Sequence, residues 1–186
     1  MENDIEKLKF PIGKYKAILE FNFSRTIEDI KTFESFAAKL RDSVKGLDKT
    51  DFKKTYRKGG MNIAQIIHHY CDTHTYAFLR TKHTLLEDNP SVKMYEVSEF
   101  LTTPESNVLD VEDSLKVIEG IHAKWVSLLK TLSQDDFNKT YYHSARDKNI
   151  ILHEHVGMYA WHTKHHLVHI GMAKESIKEK GKRSKQ

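Results

Sequence analysis

The sequence predicts an all-α fold, a four-helix bundle with a long crossover connection between its second and third helices. Three observations lead to this prediction. Four long segments of the 186-residue chain carry apolar residues at spacings of three and four, the period of an amphipathic helix. No segment shows the sustained alternation of apolar and polar residues that a half-buried strand needs. Each segment is about 20 to 25 residues long, and helices of matched length pack well side by side.

The first two predicted helices have recognisable starts and ends. Helix one follows a capping box from Thr26 to Asp29 and ends near Gly46. Helix two takes Asn62 as its N-cap and continues to the Asn89-Pro90 pair, which stops it. Their apolar faces contain Ile27, Ile30, Phe33, Phe36, Ala37, Leu40, Val44 and Leu47 in helix one, and Ile63, Ile66, Ile67, Tyr70, Ala77 and Leu85 in helix two.

The second half of the chain begins with the crossover. Residues 91–110 are irregular, with a short helix expected from about Tyr95 to Leu101, and are long enough to cross from one end of a bundle to the other. Helix three runs from about Val111 to Leu132. Residues 138–149 are polar and are expected to be irregular. Helix four starts near Ile150 and continues at least to Ala173.

Length and charge limit the organisation and the partners. A chain of 186 residues is too short for two ordinary domains, so we expect one domain over residues 1–186, with an extended N-terminal segment at 1–20. The six basic and two acidic residues of the tail, 174–186, account for the net charge of +4, which leaves 24 basic and 24 acidic residues elsewhere. A solvated helix end explains this tail, and no nucleic-acid partner is expected.

The sequence also predicts a cytoplasmic protein. The first ten residues, MENDIEKLKF, carry charges where a secretory signal has an apolar stretch. Cys71 is the single cysteine, so no internal disulfide can form. No apolar run approaches the ~18 residues of a membrane span, and no membrane association is expected.

The stretch WHTKHHLVHI at 161–170 contains four of the twelve histidines of the chain. On a helical wheel, His162 and His166 border the apolar face of helix four, whereas His169 and His165 lie progressively further out. The inner pair is spaced i, i+4, so both rings lie on one face and can bind one ion. On helix two, His69 borders the apolar face on the corresponding side.

Two alternatives stay open at this point. His74 lies deeper in the apolar face of helix two than His69, so the wheel alone does not decide which of them faces helix four. A histidine-rich face is also compatible with a solvated surface or with hydrogen-bonded core residues. A di-iron centre is disfavoured because it needs two Glu-x-x-His motifs, and the chain has one, Glu119 to His122.

Six stretches of the sequence, taken together, are characteristic of a known family. They are FPIGKY at 10–15, YRKGGMNIAQIIHH at 56–69, LLEDNPSVKMY at 85–95, HAKWVSLL at 122–129, DFNKTYYH at 136–143 and YAWHTKHHLVHI at 159–170. The chain resembles the DinB-like superfamily of metal-binding four-helix bundles, and within it the YfiT branch of bacillithiol transferases, also named metal-dependent hydrolases. Met61 departs from the family pattern, which usually has a tryptophan there.

The resemblance implies one divalent metal ion, zinc or nickel, held by His69, His162 and His166. It also favours His69 over His74 as the ligand from helix two, which leaves His74 as a core or supporting residue. His74, His165 and His169 are expected either to orient the ligands or to have surface or core roles. The resemblance further implies a homodimer.

Three functions are compatible with this set of histidines. The first two use an open coordination position on the metal ion, and the third does not. The first is an S-transferase that joins a low-molecular-weight thiol, bacillithiol by resemblance, to a small electrophile. The second is a hydrolase that uses a metal-activated water, because a divalent ion prepares either nucleophile. The third is a non-catalytic, stress-associated interaction protein in which the ion is structural or absent. The sequence alone does not separate them.

Overall fold

The computed structural model describes residues 2–92 and 97–183, and the four predicted helices form a bundle. The long helices are α2 (Phe23–Val44), α4 (Ile63–Leu86), α6 (Glu112–Leu129) and α8 (Leu152–Arg183). Helix α2 packs against α6 and α8, and α4 packs against the same two helices. The all-α prediction with a long crossover between the second and third long helices is therefore confirmed.

Helix α2 starts earlier than predicted. Asn22 is its N-cap, with the side-chain oxygen accepting a hydrogen bond from the backbone N–H of Arg25 at 2.9 Å. Thr26 lies inside the first turn, where its hydroxyl donates to the carbonyl oxygen of Asn22. The predicted Thr26-to-Asp29 capping box is wrong because an asparagine in extended conformation already caps the helix four residues upstream.

Helix α4 starts as predicted. Asn62 and Gln65 form a reciprocal capping box, in which each side chain accepts a hydrogen bond from the backbone N–H of the other residue. The helix ends at Leu86, and Asn89 then adopts a positive φ of 44° before Pro90. This cap fixes the rotation of α4 at its N-terminal end, about two turns before His69.

The N-terminal segment is only partly extended. Residues Glu2–Lys9 form helix α1, which corrects the prediction of an extended segment over 1–20. Charged helix formers and the Glu6–Lys9 ion pair at i, i+3 favour the helical turn. Residues 10–22 then run along the bundle, where the Tyr15 hydroxyl donates to the carbonyl oxygen of Glu154 at 3.0 Å.

The polar stretch at 138–149 is not irregular, as had been predicted from its sequence. Strand β1 (Ser91–Val92) pairs in parallel with β2 (Thr140–His143), which pairs antiparallel with β3 (Lys148–Ile151). The strands are too short for their alternation to appear in a sequence window, although every second residue of β2 is buried. This sheet covers one end of the bundle.

Several short elements complete the described chain. Helix α3 is Lys49–Phe52, α5 is Val97–Phe100 and α7 is Gln134–Phe137, and one turn of 3-10 helix lies at Glu105–Asn107 and another at Ser144–Arg146. Helix α5 overlaps the short helix expected in the crossover, whose first residue, Tyr95, lies outside the described residues. The basic tail continues α8 as far as Arg183, and residues 184–186 lie outside the described part.

Two apolar clusters fill the bundle, and the rings of His74, His122 and His162 contact aromatic side chains of both. One cluster is centred on Phe36, Leu40, Ile63, Ile66, Ile67, Leu115 and Ile118, and the other on Phe33, Ala77, Trp125, Leu129, Leu152, Val156 and Ala160. Within residues 2–92 and 97–183, no helix combines the length and the apolar character that crossing a membrane would require.

Candidate metal centre

Three imidazole rings meet between helices α4 and α8. Nε2 of His69 lies 3.1 Å from Nε2 of His162, and the ring centroids of His69 and His166 are 4.9 Å apart. The rings of His162 and His166, one turn apart on α8, are separated by 4.6 Å. One ring nitrogen from each histidine lies within 4.8 Å of the other two. The structure thus brings together the three residues that the sequence analysis named, and their role as ligands stays a prediction.

The structure also distinguishes His69 from its neighbours on α4. His68 faces α6, where its Nδ1 is 2.8 Å from the Ser114 hydroxyl and its Nε2 is 3.1 Å from the carbonyl oxygen of Val108. His74 lies deeper in the bundle and is only 1% exposed. The helical wheel left the choice between His69 and His74 open. In the structure the ring of His69 lies beside those of His162 and His166, and the ring of His74 lies deeper in the bundle, behind these three.

The three rings are uncharged over the physiological range. Burial lowers the pKa of His69 to about 4. Burial first, and the neighbouring imidazoles second, hold the pKa values of His162 and His166 well below 6.5. Neutral imidazole is the form that binds a metal ion, because the unprotonated nitrogen carries the lone pair.

A chain of hydrogen bonds extends from His162 away from the group formed by His69, His162 and His166. Nδ1 of His162 is 3.0 Å from Nε2 of His74, and Nδ1 of His74 is 2.8 Å from Nε2 of His122 on α6. Nδ1 of His122 is 3.2 Å from the carbonyl oxygen of Phe33 on α2. Burial lowers the pKa of His122 to about 4 and that of His74 well below 6.5. Four helices therefore contribute to the surroundings of one ring.

A second, shorter chain extends from His166. Its Nδ1 is 3.1 Å from Nδ1 of His169, and Nε2 of His169 is 3.1 Å from the carbonyl oxygen of Leu8 in α1. Tyr56 stacks on the His169 ring with centroids 3.8 Å apart. Burial lowers the pKa of His169 to about 4.

His165 and His169 are buried, contrary to the wheel, which placed them progressively further out on α8. Their exposed fractions are 6% and 1%. The wheel considered only the four long helices, whereas the N-terminal segment covers this side of α8. Phe10 packs against His165 with ring centroids 5.9 Å apart, and Leu8 contacts His169. The histidine-rich face is therefore internal.

His165, His166 and His169 form a second close group of imidazoles. The ring of His165 stacks on Trp161 at 4.4 Å, and its Nδ1 is buried without a hydrogen-bond partner among the described residues. His166 belongs to both groups. Its Nδ1 is engaged by His169, so the nitrogen left for the group with His69 and His162 is Nε2.

The position of His122 beside His74 was not predicted from the sequence. In the sequence, His122 stood out as the end of the Glu119-to-His122 motif and as the first residue of the stretch HAKWVSLL, without a role beside the predicted ligands. Glu119 instead forms a half-exposed ion pair with Arg41, at 2.5 Å from the guanidinium Nε. His122 is 2% exposed and points at His74. His122 lies three or four residues from Ile118, Trp125 and Val126 on the core face of α6, and this spacing was a signal for burial. Its partner on another helix could not be predicted from the sequence.

Comparison with known protein families gives one match over most of the chain. The family model of the DinB superfamily matches residues 32–170. A relative from Geobacillus kaustophilus, named "putative metal-dependent hydrolase", is 34% identical over 89% of this chain and 93% of its own length. YfiT of Bacillus subtilis, which has the same description, is 31% identical over 88% of this chain and 92% of its own length.

Solved structures agree with this assignment. The structure of YfiT from Bacillus subtilis, described as a probable metal-dependent hydrolase with an unusual four-helix bundle topology, superposes with a TM-score of 0.89 at 29% identity. The match covers 92% of this chain and 98% of that one. A mycothiol-dependent maleylpyruvate isomerase gives a TM-score of 0.62 at 14% identity, over 78% of this chain and 60% of that one. The second likeness concerns the fold alone.

Proposed function

The chain belongs to the DinB superfamily, and on that premise we propose that it is a metal-dependent enzyme. In this proposal His69, His162 and His166 hold one divalent cation. The observation that carries the proposal is the convergence of three neutral imidazoles from two helices, with Nε2 of His69 and Nε2 of His162 at 3.1 Å.

The donor set fits zinc or nickel, and so does the spacing of the His69 and His162 nitrogens. Imidazole nitrogen suits both ions, and three histidines with one remaining position are a common arrangement of catalytic zinc. Two nitrogens at ~2.05 Å from a tetrahedral ion are about 3.3 Å apart, close to the spacing of the two Nε2 atoms. His69 and His166 are buried and His162 is half-buried, and because all three rings are uncharged at neutral pH, no proton has to leave them when the ion binds.

We propose that the reaction is transfer of a low-molecular-weight thiol, bacillithiol, to a small electrophile. A divalent cation at such a site supplies Lewis acidity, which lets a thiol with a pKa near 8.5 lose its proton at neutral pH. The three histidines fix the position of the reacting sulfur, and the buried side chains around them exclude bulk water. The family resemblance is what favours a thiol over other nucleophiles.

Hydrolysis is the second candidate, favoured by the names of the relatives from Geobacillus and Bacillus. Both reactions need the same three ligands and differ only in the nucleophile that occupies the remaining position. We further propose, from the same resemblance, that the enzyme acts as a homodimer, which sedimentation equilibrium of the purified protein tests.

One experiment separates these candidates. Protein purified without an affinity tag is supplied with zinc or nickel and assayed for conjugation of bacillithiol to a haloarene, and separately against a panel of esters and amides. The transferase proposal expects conjugation that His162→Ala abolishes and that His68→Ala retains, because His68 faces α6. Hydrolysis without conjugation would replace the transferase by the hydrolase. Binding of less than about half an equivalent of metal would contradict both.

A further inference from the structure

The two candidate ligands of α8 share an arrangement. In each, the nitrogen that faces away from the group contacts a second imidazole, and the hydrogen-bond chain that starts there ends on a main-chain carbonyl oxygen of another element, after two imidazoles for His162 and after one for His166. A neutral imidazole has one N–H donor and one lone-pair acceptor. A carbonyl oxygen can only accept, so each chain has a defined direction.

The longer chain can be followed from its carbonyl end. The oxygen of Phe33 accepts from Nδ1–H of His122, which leaves Nε2 of His122 as an acceptor. Nδ1–H of His74 donates to it, which makes Nε2 of His74 the acceptor for Nδ1–H of His162. The proton of His162 is therefore on Nδ1, and its Nε2 presents a lone pair towards His69.

The shorter chain gives the same result for the other ligand. The carbonyl oxygen of Leu8 accepts from Nε2–H of His169, so Nδ1 of His169 is an acceptor. Nδ1–H of His166 donates to that atom. The proton of His166 is thus also on Nδ1, and its Nε2 is left for the group. Here the carbonyl comes from the N-terminal helix, far from α8 in the sequence.

We propose that His74, His122 and His169 are positioning residues that fix His162 and His166 in the Nδ1–H tautomer, with both Nε2 lone pairs directed at the cation. The proposal rests on the proposed function, because it assigns a purpose to tautomers at that same site. The opposite tautomer of either ligand would place two N–H groups, or two lone pairs, against each other inside a buried chain, which is unfavourable. Partners of this kind typically change metal affinity 10- to 100-fold.

The two hydrogen-bond chains lie in different parts of the fold. The chain from His162 lies wholly inside the bundle, since His74 and His122 are 1% and 2% exposed. The chain from His166 ends on α1, which packs on the outside of the bundle. A substitution that keeps a hydrogen-bond acceptor towards the ligand but removes the imidazole is informative in both chains. His74→Gln keeps an amide oxygen near the place of Nε2, and His169→Asn keeps one near the place of Nδ1.

The first test uses metal-free protein labelled with ¹⁵N-histidine. Long-range ¹H–¹⁵N correlation spectra distinguish the two tautomers of neutral histidine. We expect His162 and His166 in the Nδ1–H form in the wild type. His74→Leu should convert His162 to a mixture of tautomers and leave His166 unchanged, and His169→Leu should do the converse. A wild-type spectrum with the proton of His162 or His166 on Nε2 would overturn the assignment.

The second test measures zinc affinity by competition with a chromophoric chelator. His74→Leu and His169→Leu should bind zinc about 10- to 100-fold more weakly than wild type. His74→Gln and His169→Asn should recover most of that loss. His68→Leu is the matched control, since it removes a buried imidazole from α4 whose partners lie on the side of α6. Equal losses in the Leu and the Gln or Asn variants would show that only packing matters and would contradict the proposal.

The two tests fail separately. Tautomers are measured without metal, so the expected spectra together with no zinc binding would refute the proposed function and leave the tautomer assignment standing. Tight zinc binding with the opposite tautomers would refute the positioning role alone. Binding of two zinc ions that both need His166 would show that its Nδ1 binds an ion together with His165 and His169, which also contradicts the proposal. Circular dichroism shows which variants are folded, and the Gln and Asn variants keep the test decisive if a Leu variant unfolds.

Discussion

Buried neutral histidines should make the stability of this protein fall as the pH falls, and His155 offers the clearest case. Its Nε2–H donates to the carbonyl oxygen of Ala77 at 3.1 Å, and its Nδ1 accepts from the Tyr141 hydroxyl at 3.0 Å. The ring is fully buried, and burial lowers its pKa from 6.5 to about 3. Protonation would place a charge in the core and turn the acceptor of the Tyr141 bond into a donor.

The size and the sign of the effect follow from the two pKa values. Below about pH 6.5 the unfolded chain binds a proton at this ring, whereas the folded protein does so only near pH 3. The contribution of His155 to the free energy of unfolding is therefore fully present above pH 6.5 and is lost as the pH falls from 6.5 towards 3. At pH 5 the loss from this ring alone is about 2 kcal/mol, at about 1.4 kcal/mol per pH unit.

Urea unfolding of metal-free protein at pH 7.5 and pH 5.0, followed by circular dichroism, measures this loss. His155→Gln removes the titrating ring, so the free energy of unfolding should fall between the two pH values by about 2 kcal/mol less than in the wild type. Equal losses in the wild type and His155→Gln would refute the reasoning.

Three further predictions concern packing and caps. Trp125→Ala removes a fully buried side chain and should lower the free energy of unfolding by about 3–5 kcal/mol, measured by urea denaturation. Asn62→Ala removes the cap of α4 and should cost about 1 kcal/mol in the same assay, while an unchanged midpoint would contradict the role of the cap. Gly60→Ala places a Cβ 2.9 Å from the Tyr56 ring, so it should displace that ring from His169 and lower the melting temperature by several degrees, about 2–4 °C for each kcal/mol. A crystal structure of Gly60→Ala with Tyr56 in place would contradict this account.

The spacing of the apolar residues predicted the long helices correctly because each of them buries one continuous apolar face. The Asn62 cap could be predicted for a similar reason, since capping depends on residues three apart in the sequence. The same logic misplaced the start of α2, which Asn22 and not Thr26 caps, and missed the three short strands. Strands of two to four residues are stabilised by partners distant in the sequence, and a local pattern contains little information about them.

The sequence by itself determined the helical class, the amphipathic faces and the i, i+4 pair His162 and His166, because all of these follow from the geometry of a single helix. The family resemblance favoured His69 as the third member, and the tertiary structure places its ring beside that pair. Only the tertiary structure decided that His74 contacts His162 from behind and that His169 is buried under the N-terminal helix. The physical reason is that burial and tautomer depend on neighbours from other elements. The nitrogen at which each ring offers its lone pair depends on carbonyl oxygens that are remote in sequence and are brought close only by folding.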